Sequence, residues 1–497
     1  MKRKHIFSIF MICMTVMMTS IFAEAYGPAV MYNPSENTDA VIPGAMSPRT
    51  IQLSHNGENN EKMYSTFQCN TSTEQTFPVY ESTDNGANWT KVGEVRDTQN
   101  SIGMNCCPQL FEMPQTIGSL TEGTIICAGI SSPSDNSIQY LELYKSNDLG
   151  RTWTYVSRIT SAPNAGAGDP IWEPFLMVAN DKLICYYSDE RAPSHSQILV
   201  HQTTVDGIEW SPVVVDSAMT DGNLRPGMPV VAKMSNGNYI MTYEVANIKG
   251  TPSNYKISSD PESWDVTAYG TTFAYGGSPF CATLQDGRIA ISSYDGSGCI
   301  YINTENDLSG RWAKYPTPIS SGYNREIVPL ANGRIFFTSC RGFFESGMHP
   351  VSYADMETPP CPSTYVKIQN CSTGLYIDGY GSTGEGADCK QYSGNSSYNQ
   401  QWALVSYEGN YLLQNRGTGL YLDGYGREIT GSVVAQYLLS YHANQQWSLE
   451  ESGNYYKIKN VGTGLYLDGM GYLSDGDGLY QCDNNSDDDQ LWSITEQ

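Results

Sequence analysis

The sequence predicts an all-β protein, a six-bladed β-propeller followed by a C-terminal β-trefoil. Two internal periods and the composition carry that reading. Six times the chain gives a strand, a turn and a second strand rich in β-branched and aromatic residues. The turns fall near Asn60, Gly123, Asp181, Gly237, Gly287 and Gly333, at spacings of 63, 58, 56, 50 and 46. Such a period is what stacked small sheets produce, because one sheet cannot bury both of its faces alone. A second repeat has a different step. Gly374-Leu375-Tyr376-Ile377-Asp378-Gly379, Gly419-Leu420-Tyr421-Leu422-Asp423-Gly424 and Gly464-Leu465-Tyr466-Leu467-Asp468-Gly469 lie 45 residues apart, and each is followed by a Gln-x-Trp at that same step. Three equal copies, none able to bury its own face, predict a threefold trefoil. Abundant Tyr (35), Gly (47) and Pro (25), with few long helical patterns, fit short strands and many turns.

Taken in order, the chain opens with Lys2, Arg3 and Lys4, an apolar run from Ile6 to Phe22, and Ala23-Glu24-Ala25. This is the pattern of a secretory signal over residues 1–25, so a secreted, extracellular protein is expected. Removing it takes away three basic residues and one acidic one, so the formal charge of −24 becomes −26. A chain this acidic repels phosphate, which argues against nucleic acid as a partner. No later stretch is apolar enough to insert in a membrane. Neutral sugars meet no electrostatic penalty. Of thirteen cysteines, Cys13 lies in the signal, leaving twelve. No Cys and His spacing fits zinc, and neither metal nor cofactor is expected.

Residues 26–356 are assigned to the propeller. The first strand of a repeat opens with a residue followed by proline in five of six copies: Ser47-Pro48, Cys107-Pro108, Glu173-Pro174, Met228-Pro229 and Ser278-Pro279, with Asn324-Arg325 in the sixth. Proline is tolerated at the first residue of a strand, where no ladder donor is needed. In the third copy the strands are expected over 174–179 and 182–188. Only that copy puts a carboxylate before the proline. Seven residues past the turn stand Ile130, Ser188, Glu244, Tyr294 and Cys340, and again a single copy is acidic. Glu173 and Glu244 are therefore expected at the ends of inner strands in adjacent blades. Two carboxyl groups converging on a pocket are what glycoside hydrolysis needs, one to protonate the leaving oxygen and one to attack or to activate water. Between the strand pairs, Ser82 to Trp89 and Ser146 to Trp153 match Ser-x-Asp-x-Gly-x-x-Trp in full. There the Asp accepts turn N–H groups, Gly takes the positive φ and Trp packs on the blade.

These hairpins resemble the Asp boxes of sialidase-like propellers. The segments around Trp172-Glu173-Pro174-Phe175 and from Gly227-Met228-Pro229 to Tyr243-Glu244 resemble the secreted exo-α-1,5-L-arabinanase family. That resemblance implies a retaining hydrolase with Glu173 as acid/base and Glu244 as nucleophile, acting on plant cell-wall arabinan. Trp172 is expected to form a sugar-stacking wall. Arg49, Arg191, Arg225 and Arg325 are expected to bond sugar hydroxyls or to hold the glutamates ionised. Two alternatives stay open: a sialidase, with a tyrosine nucleophile and an arginine cluster, and a non-catalytic propeller lectin.

Past the linker Asp355-Met356-Glu357-Thr358-Pro359-Pro360, residues 363–497 carry a motif set that resembles the ricin-type carbohydrate-binding trefoil. The resemblance implies sugar sites at Asp378 with Tyr392, Asn399 and Gln400, and at Asp423 with Tyr437, Asn444 and Gln445. The glutamines and their Trp partners are read as core first and binding second. The third copy departs, with Cys482 for the aromatic and Asp489 for the Asn. Cys371 and Cys389, both in the first copy, are expected to form a local bridge.

Overall fold

Alternation of apolar and polar residues resolves into six four-stranded antiparallel sheets and one further sheet system near the C-terminus. This computed structural model describes residues 26–340, 345–362 and 364–497. The expected secretory signal, residues 1–25, lies outside the described residues. Blades 1 to 5 occupy 40–95, 104–162, 171–217, 225–275 and 280–316 in chain order. Blade 6 joins Glu326–Pro329, Arg334–Ser339 and Val351–Glu357 to Ala29–Tyr32, which pairs antiparallel with Val351–Glu357 and so ties the first described strand to the last blade. In each blade the strand that comes first in the repeat is innermost. These six strands neighbour one another in a closed ring.

The residue before proline does something the sequence alone did not predict. Ser47, Cys107, Glu173, Met228, Ser278 and Asn324 all have positive φ, between 48° and 64°. In blades 1 to 4 the inner strand loses register there: between Met46 and Arg49, Cys106 and Gln109, Trp172 and Phe175, and Gly227 and Val230. Each site is a β-bulge, which leaves a residue unpaired and is a place where proline costs no ladder bond. The third inner strand accordingly runs Ile171–Ala179, with Glu173 inside it and not at its start. A regular strand sends neighbouring side chains to opposite faces. The bulge breaks that rule, and Met46-Ser47, Cys106-Cys107 and Trp172-Glu173 each deliver two consecutive side chains to one cavity, as Tyr323-Asn324 does from just ahead of the sixth inner strand.

Two residues further along the same strands, side chains close the propeller axis. Arg49 donates from Nε to Gln109 Oε1 at 3.1 Å, and its guanidinium sits 5.2 Å from the Phe280 ring centre. Phe280 meets Phe175 edge to face at 6.4 Å. Only about 10 Å³ of void remains among Arg49, Glu173, Phe175 and Phe280. What lies above this plug is a pocket with a floor.

The hairpins between strand pairs form as their residues require. Asp84 Oδ1 accepts from Asn88 N at 2.9 Å, Gly86 has φ 91°, and Trp89 Nε1 donates to Gly86 O at 2.8 Å. Asp148, Gly150 and Trp153 repeat the arrangement.

From Tyr365 onward the chain folds as a trefoil with a threefold core. Ile377, Leu422 and Leu467 occupy equivalent buried positions, as do Trp402, Trp447 and Trp492. Each indole donates to the main-chain oxygen of its own repeat's aliphatic residue: Trp402 to Ile377 at 3.0 Å, Trp447 to Leu422 at 3.0 Å and Trp492 to Leu467 at 3.1 Å. The expected Cys371–Cys389 bridge does not form, and both cysteines are free. The reason lies in the repeat, since Cys389 takes the core position filled by Val434 and Leu479 in the other copies. A small hydrophobe is what that site needs.

The trefoil is packed onto blade 5. Ala313 and Tyr315 share an apolar cluster with Leu412, Tyr421 and Leu439, and Gln414 Nε2 donates to the Tyr315 hydroxyl at 2.9 Å. Arg416 pairs with Glu305 at 3.0 Å, and the fully buried Arg288 donates to the carbonyls of Pro359 and Pro360. Among the described residues no helix is long and apolar enough to cross a membrane.

Candidate active site

Above the plug lies a cavity of about 560 Å³, lined by Trp172, Glu173, Arg225, Glu244, Tyr294 and Tyr323 with the positive-φ residues of blades 1, 2 and 6. That volume suits a small saccharide. Glu173 enters from blade 3 and Glu244 from blade 4. Glu244 lies on the second strand of its blade, Tyr239–Ala246, and not on an inner strand as expected. It reaches the cavity across Gly227, its cross-strand partner, because no side chain intervenes. A Cβ built on Gly227 would stand 3.6 Å from Glu244 Cγ, and one on Gly277 would stand 2.5 Å from Glu244 Oε2. Both glycines therefore serve close approach.

The two carboxyls are held differently. Glu173 accepts from Ser188 Oγ at 2.8 Å and from Met228 N at 3.1 Å, both on Oε2. Its Oε1 makes no hydrogen bond among the described residues. Glu244 is bonded on both oxygens, by Ser278 N at 2.7 Å on Oε2 and by the Tyr323 hydroxyl at 3.4 Å on Oε1. Burial raises the pKa of Glu244 to about 7, helped by the charge of Glu173, while Ser278 N–H, Arg225 and Tyr323 pull it down. Burial also raises Glu173, opposed by Ser188, Arg225 and Met228. With burial and the charge of Glu173 holding Glu244 at about 7, the site retains a proton near neutrality.

Glu190 organises the wall beside them. Its Oε1 accepts from Trp172 Nε1 at 2.8 Å and from Arg225 Nη2 at 2.7 Å, which fixes the indole and the guanidinium together. Trp172 and Arg225 thus both line the cavity. The other arginines do not. Arg191 is bidentate to Asp189 and ties blade 3 to Thr160 and Ser161 of blade 2. Arg325, fully buried, donates to Thr317, Ile319 and Cys299, and burial lowers its pKa to about 10. Its neighbour Asn324 takes the positive-φ position and lines the cavity, while Arg325 turns into the blade. Arg49 lies one layer below the cavity, in the plug. Sequence reasoning missed Glu190, Ser188, Ser278 and Tyr323. For Tyr323 a signal existed, since it directly precedes the sixth bulge residue as Trp172 precedes Glu173.

On the trefoil, Asp378 and Asp423 are buried at the base of two shallow sites, where each accepts a turn N–H, from Tyr380 at 2.7 Å and from Tyr425 at 2.6 Å. Beside each is the expected platform, Tyr392 or Tyr437, with Asn399 or Asn444, whose side-chain amides make no hydrogen bond among the described residues. Gln400 and Gln445 are fully buried and bond backbone groups of their own loops, Asn395 and Ser393, and Ser440 and Leu438. A second aromatic went unread in each site. Tyr380, 52% exposed, stands 6.3 Å from Tyr392, and Tyr425, 44% exposed, stands 5.9 Å from Tyr437. In the third copy Met470 and Cys482 replace the aromatic pair, and Gln490 is bonded to Asp468 at 2.9 Å.

A closed propeller with two acids opening on one saccharide-sized pocket, joined to a trefoil with repeated Asp and aromatic sites, defines a glycoside hydrolase with a carbohydrate-binding domain. A family model of the ricin-type β-trefoil lectin-like domain matches residues 357–437 and 443–497. The GH93 α-L-arabinofuranosidase of Fusarium graminearum, solved with arabinobiose, is 32% identical with a TM-score of 0.62, over 67% of this chain and 98% of that one. The α-L-arabinanase of Penicillium chrysogenum, also solved with arabinobiose, is 32% identical with a TM-score of 0.61, over 67% of this chain and 99% of that one. No curated protein sequence matches the chain. The chain belongs to the GH93 family.

Proposed function

We propose that this protein is a secreted, exo-acting hydrolase of α-1,5-linked L-arabinan that retains anomeric configuration and is held on plant cell-wall polysaccharide by its trefoil. One observation carries the reading: Glu173 and Glu244 open on one cavity from adjacent blades. Arabinobiose bound in the two relatives supports the substrate class.

The roles follow from how each carboxyl is held. Glu244 has both oxygens fixed, which suits an attacking group that must meet the anomeric carbon in one orientation. Glu173 has both donors on a single oxygen, so Oε1 is left to carry the proton to the leaving oxygen and to recover it from water in the second step. Burial raises both carboxyls, Glu244 to about 7, so a proton is available in the site near neutrality. The geometry of the bound sugar decides which carboxyl oxygen that proton serves. Arg225 and Trp172, locked by Glu190, supply a hydroxyl donor and a stacking face.

The sialidase alternative has one observation in its favour, the Tyr323 hydroxyl on Glu244. It lacks the arginine grip, because Arg191 and Arg325 are committed within blades and Arg49 sits below the floor. Product analysis on linear arabinan tests the proposal. A uniform short product released from the start of the reaction, with retained anomeric configuration by NMR, is expected. A ladder of internal fragments would overturn exo action, and activity on sialosides alone would overturn the substrate. Export of residues 1–25 is tested by N-terminal sequencing of secreted protein, expected to begin at Tyr26.

A further inference from the structure

Cys106 and Cys107 are consecutive, and both line the catalytic cavity. In a regular strand that is impossible, since neighbouring side chains face opposite ways. Here the blade 2 bulge, with Cys107 at φ 56°, turns both to the same side. Their sulfurs stand 2.7 Å apart. That is well inside the ~3.5–4 Å optimum of non-bonded heavy atoms and only a short step from a covalent sulfur–sulfur bond. No metal cluster among the described residues accounts for such an approach.

Their place in the ring gives the pair its meaning. Cys106-Cys107 is to blade 2 what Trp172-Glu173 is to blade 3, a bulge pair delivered to the same cavity. We propose that Cys106 and Cys107 are joined as a vicinal disulfide whose sulfurs form a rigid apolar wall against the substrate sugar, on the side of Glu173 away from Glu244's blade. Closure breaks two S–H bonds, forms one S–S bond, and passes two electrons and two protons to an external disulfide oxidant that leaves as two thiols. Joining the pair also removes two buried hydrogen-bonding groups and leaves a flat, polarisable face suited to the C–H surface of a furanose. Cys106 as a thiol is held well above its ordinary pKa by Cys107 and by burial, so once the protein has folded, reduced Cys106 is a poor nucleophile for closing the bond late.

The wall depends on the substrate reading above, whereas the bond does not, and the test separates them. Purified full-length protein is denatured without reductant and alkylated, and the peptide spanning Met104–Glu112 is weighed before and after reduction. The bond predicts a peptide without alkyl groups that gains two after reduction; two alkylated cysteines in unreduced protein overturn it. For the wall, Cys106→Ala/Cys107→Ala is assayed on arabino-oligosaccharides. KM is expected to rise about tenfold while kcat stays within about twofold, the signature of lost uniform binding. Unchanged KM in a variant whose wild-type peptide carried the bond overturns the wall. If the double variant fails to fold, the wild type treated with dithiothreitol replaces it, since the other described cysteines are already free. A wild type that hydrolyses no arabinan overturns the substrate reading, and the mass measurement still decides the bond.

Discussion

Propeller and trefoil are both built by repetition, and they use it in opposite ways. In the trefoil the step stays at 45 residues, core positions coincide, and the buried Asp with its tyrosine pair recurs in two of the three copies. In the propeller the backbone feature recurs, a positive-φ residue ahead of or within every inner strand and a bulge in blades 1 to 4, while its side chain changes from Ser to Cys, Glu, Met, Ser and Asn. Binding tolerates copies, because several weak sites add avidity. Catalysis by two acids does not, because the pair must face one sugar from different directions, with different partners on each. The propeller repeats its geometry and varies its chemistry, and a single asymmetric pocket results.

The sharpest way to break this contrast is to remove one acid. Glu173→Gln and Glu244→Gln keep the shape of the pocket and are each expected to lower kcat on linear arabinan by about 10³-fold or more. Retention on insoluble polysaccharide in a pull-down should be unchanged, since neither residue touches the trefoil. If either variant kept more than a tenth of wild-type kcat, the two-acid mechanism would fail.

The same contrast explains what could be read in advance. Both periods, the blade turns and the trefoil's Asp and Tyr positions were legible because repetition prints them several times over. Glu173 and Glu244 were legible as departures from their own repeats. Arg191 and Arg325 were misread because an arginine near a strand end is compatible with either sugar or blade, and only the bulge decides which way it faces. Glu190 and Ser278 were invisible for a related reason. They act through contacts between blades, such as Ser278 N on Glu244 and Glu190 on Arg225, and a repeat pattern records position within a blade, not across its neighbour. Cys389 misled because an expected export signal made disulfides the natural reading, while the threefold core claimed the residue as packing.

On the trefoil side, the contrast sharpens if the copies are broken one at a time. Asp378→Ala and Asp423→Ala together are expected to weaken retention on arabinan-rich polysaccharide by about tenfold, as the loss of charge-assisted hydroxyl bonds in two sites implies. Asp468→Ala should change it by less than about twofold, because Met470 and Cys482 stand where the other two copies carry their tyrosine pair. All three variants should hydrolyse soluble oligosaccharide at the wild-type rate. Equal losses from all three sites would mean that the third copy still binds.

The smallest effect concerns stability, and it separates a pocket built for chemistry from one built for binding. Glu244 titrates near 7 in the folded protein and near its ordinary value of 4.5 when unfolded. Below the lower value both states are protonated and burial costs nothing extra. Between the two values the native state holds more protons than the unfolded chain, so unfolding free energy falls as pH rises, and above 7 the full cost of a buried charge remains. Glu173, also raised, shifts stability in the same direction. Glu244→Gln carries no such cost. Its gain over the wild type should therefore grow between pH 5 and pH 8, reaching on the order of 1–3 kcal/mol and a few degrees in the melting temperature of the propeller transition. Asp423→Ala provides the trefoil control, with its direct effect on that transition expected to be negligible. A melting-temperature gain for Glu244→Gln that stayed flat across this range would show that Glu244 carries no burial penalty, and the shared proton assigned to the catalytic pair would have to be abandoned.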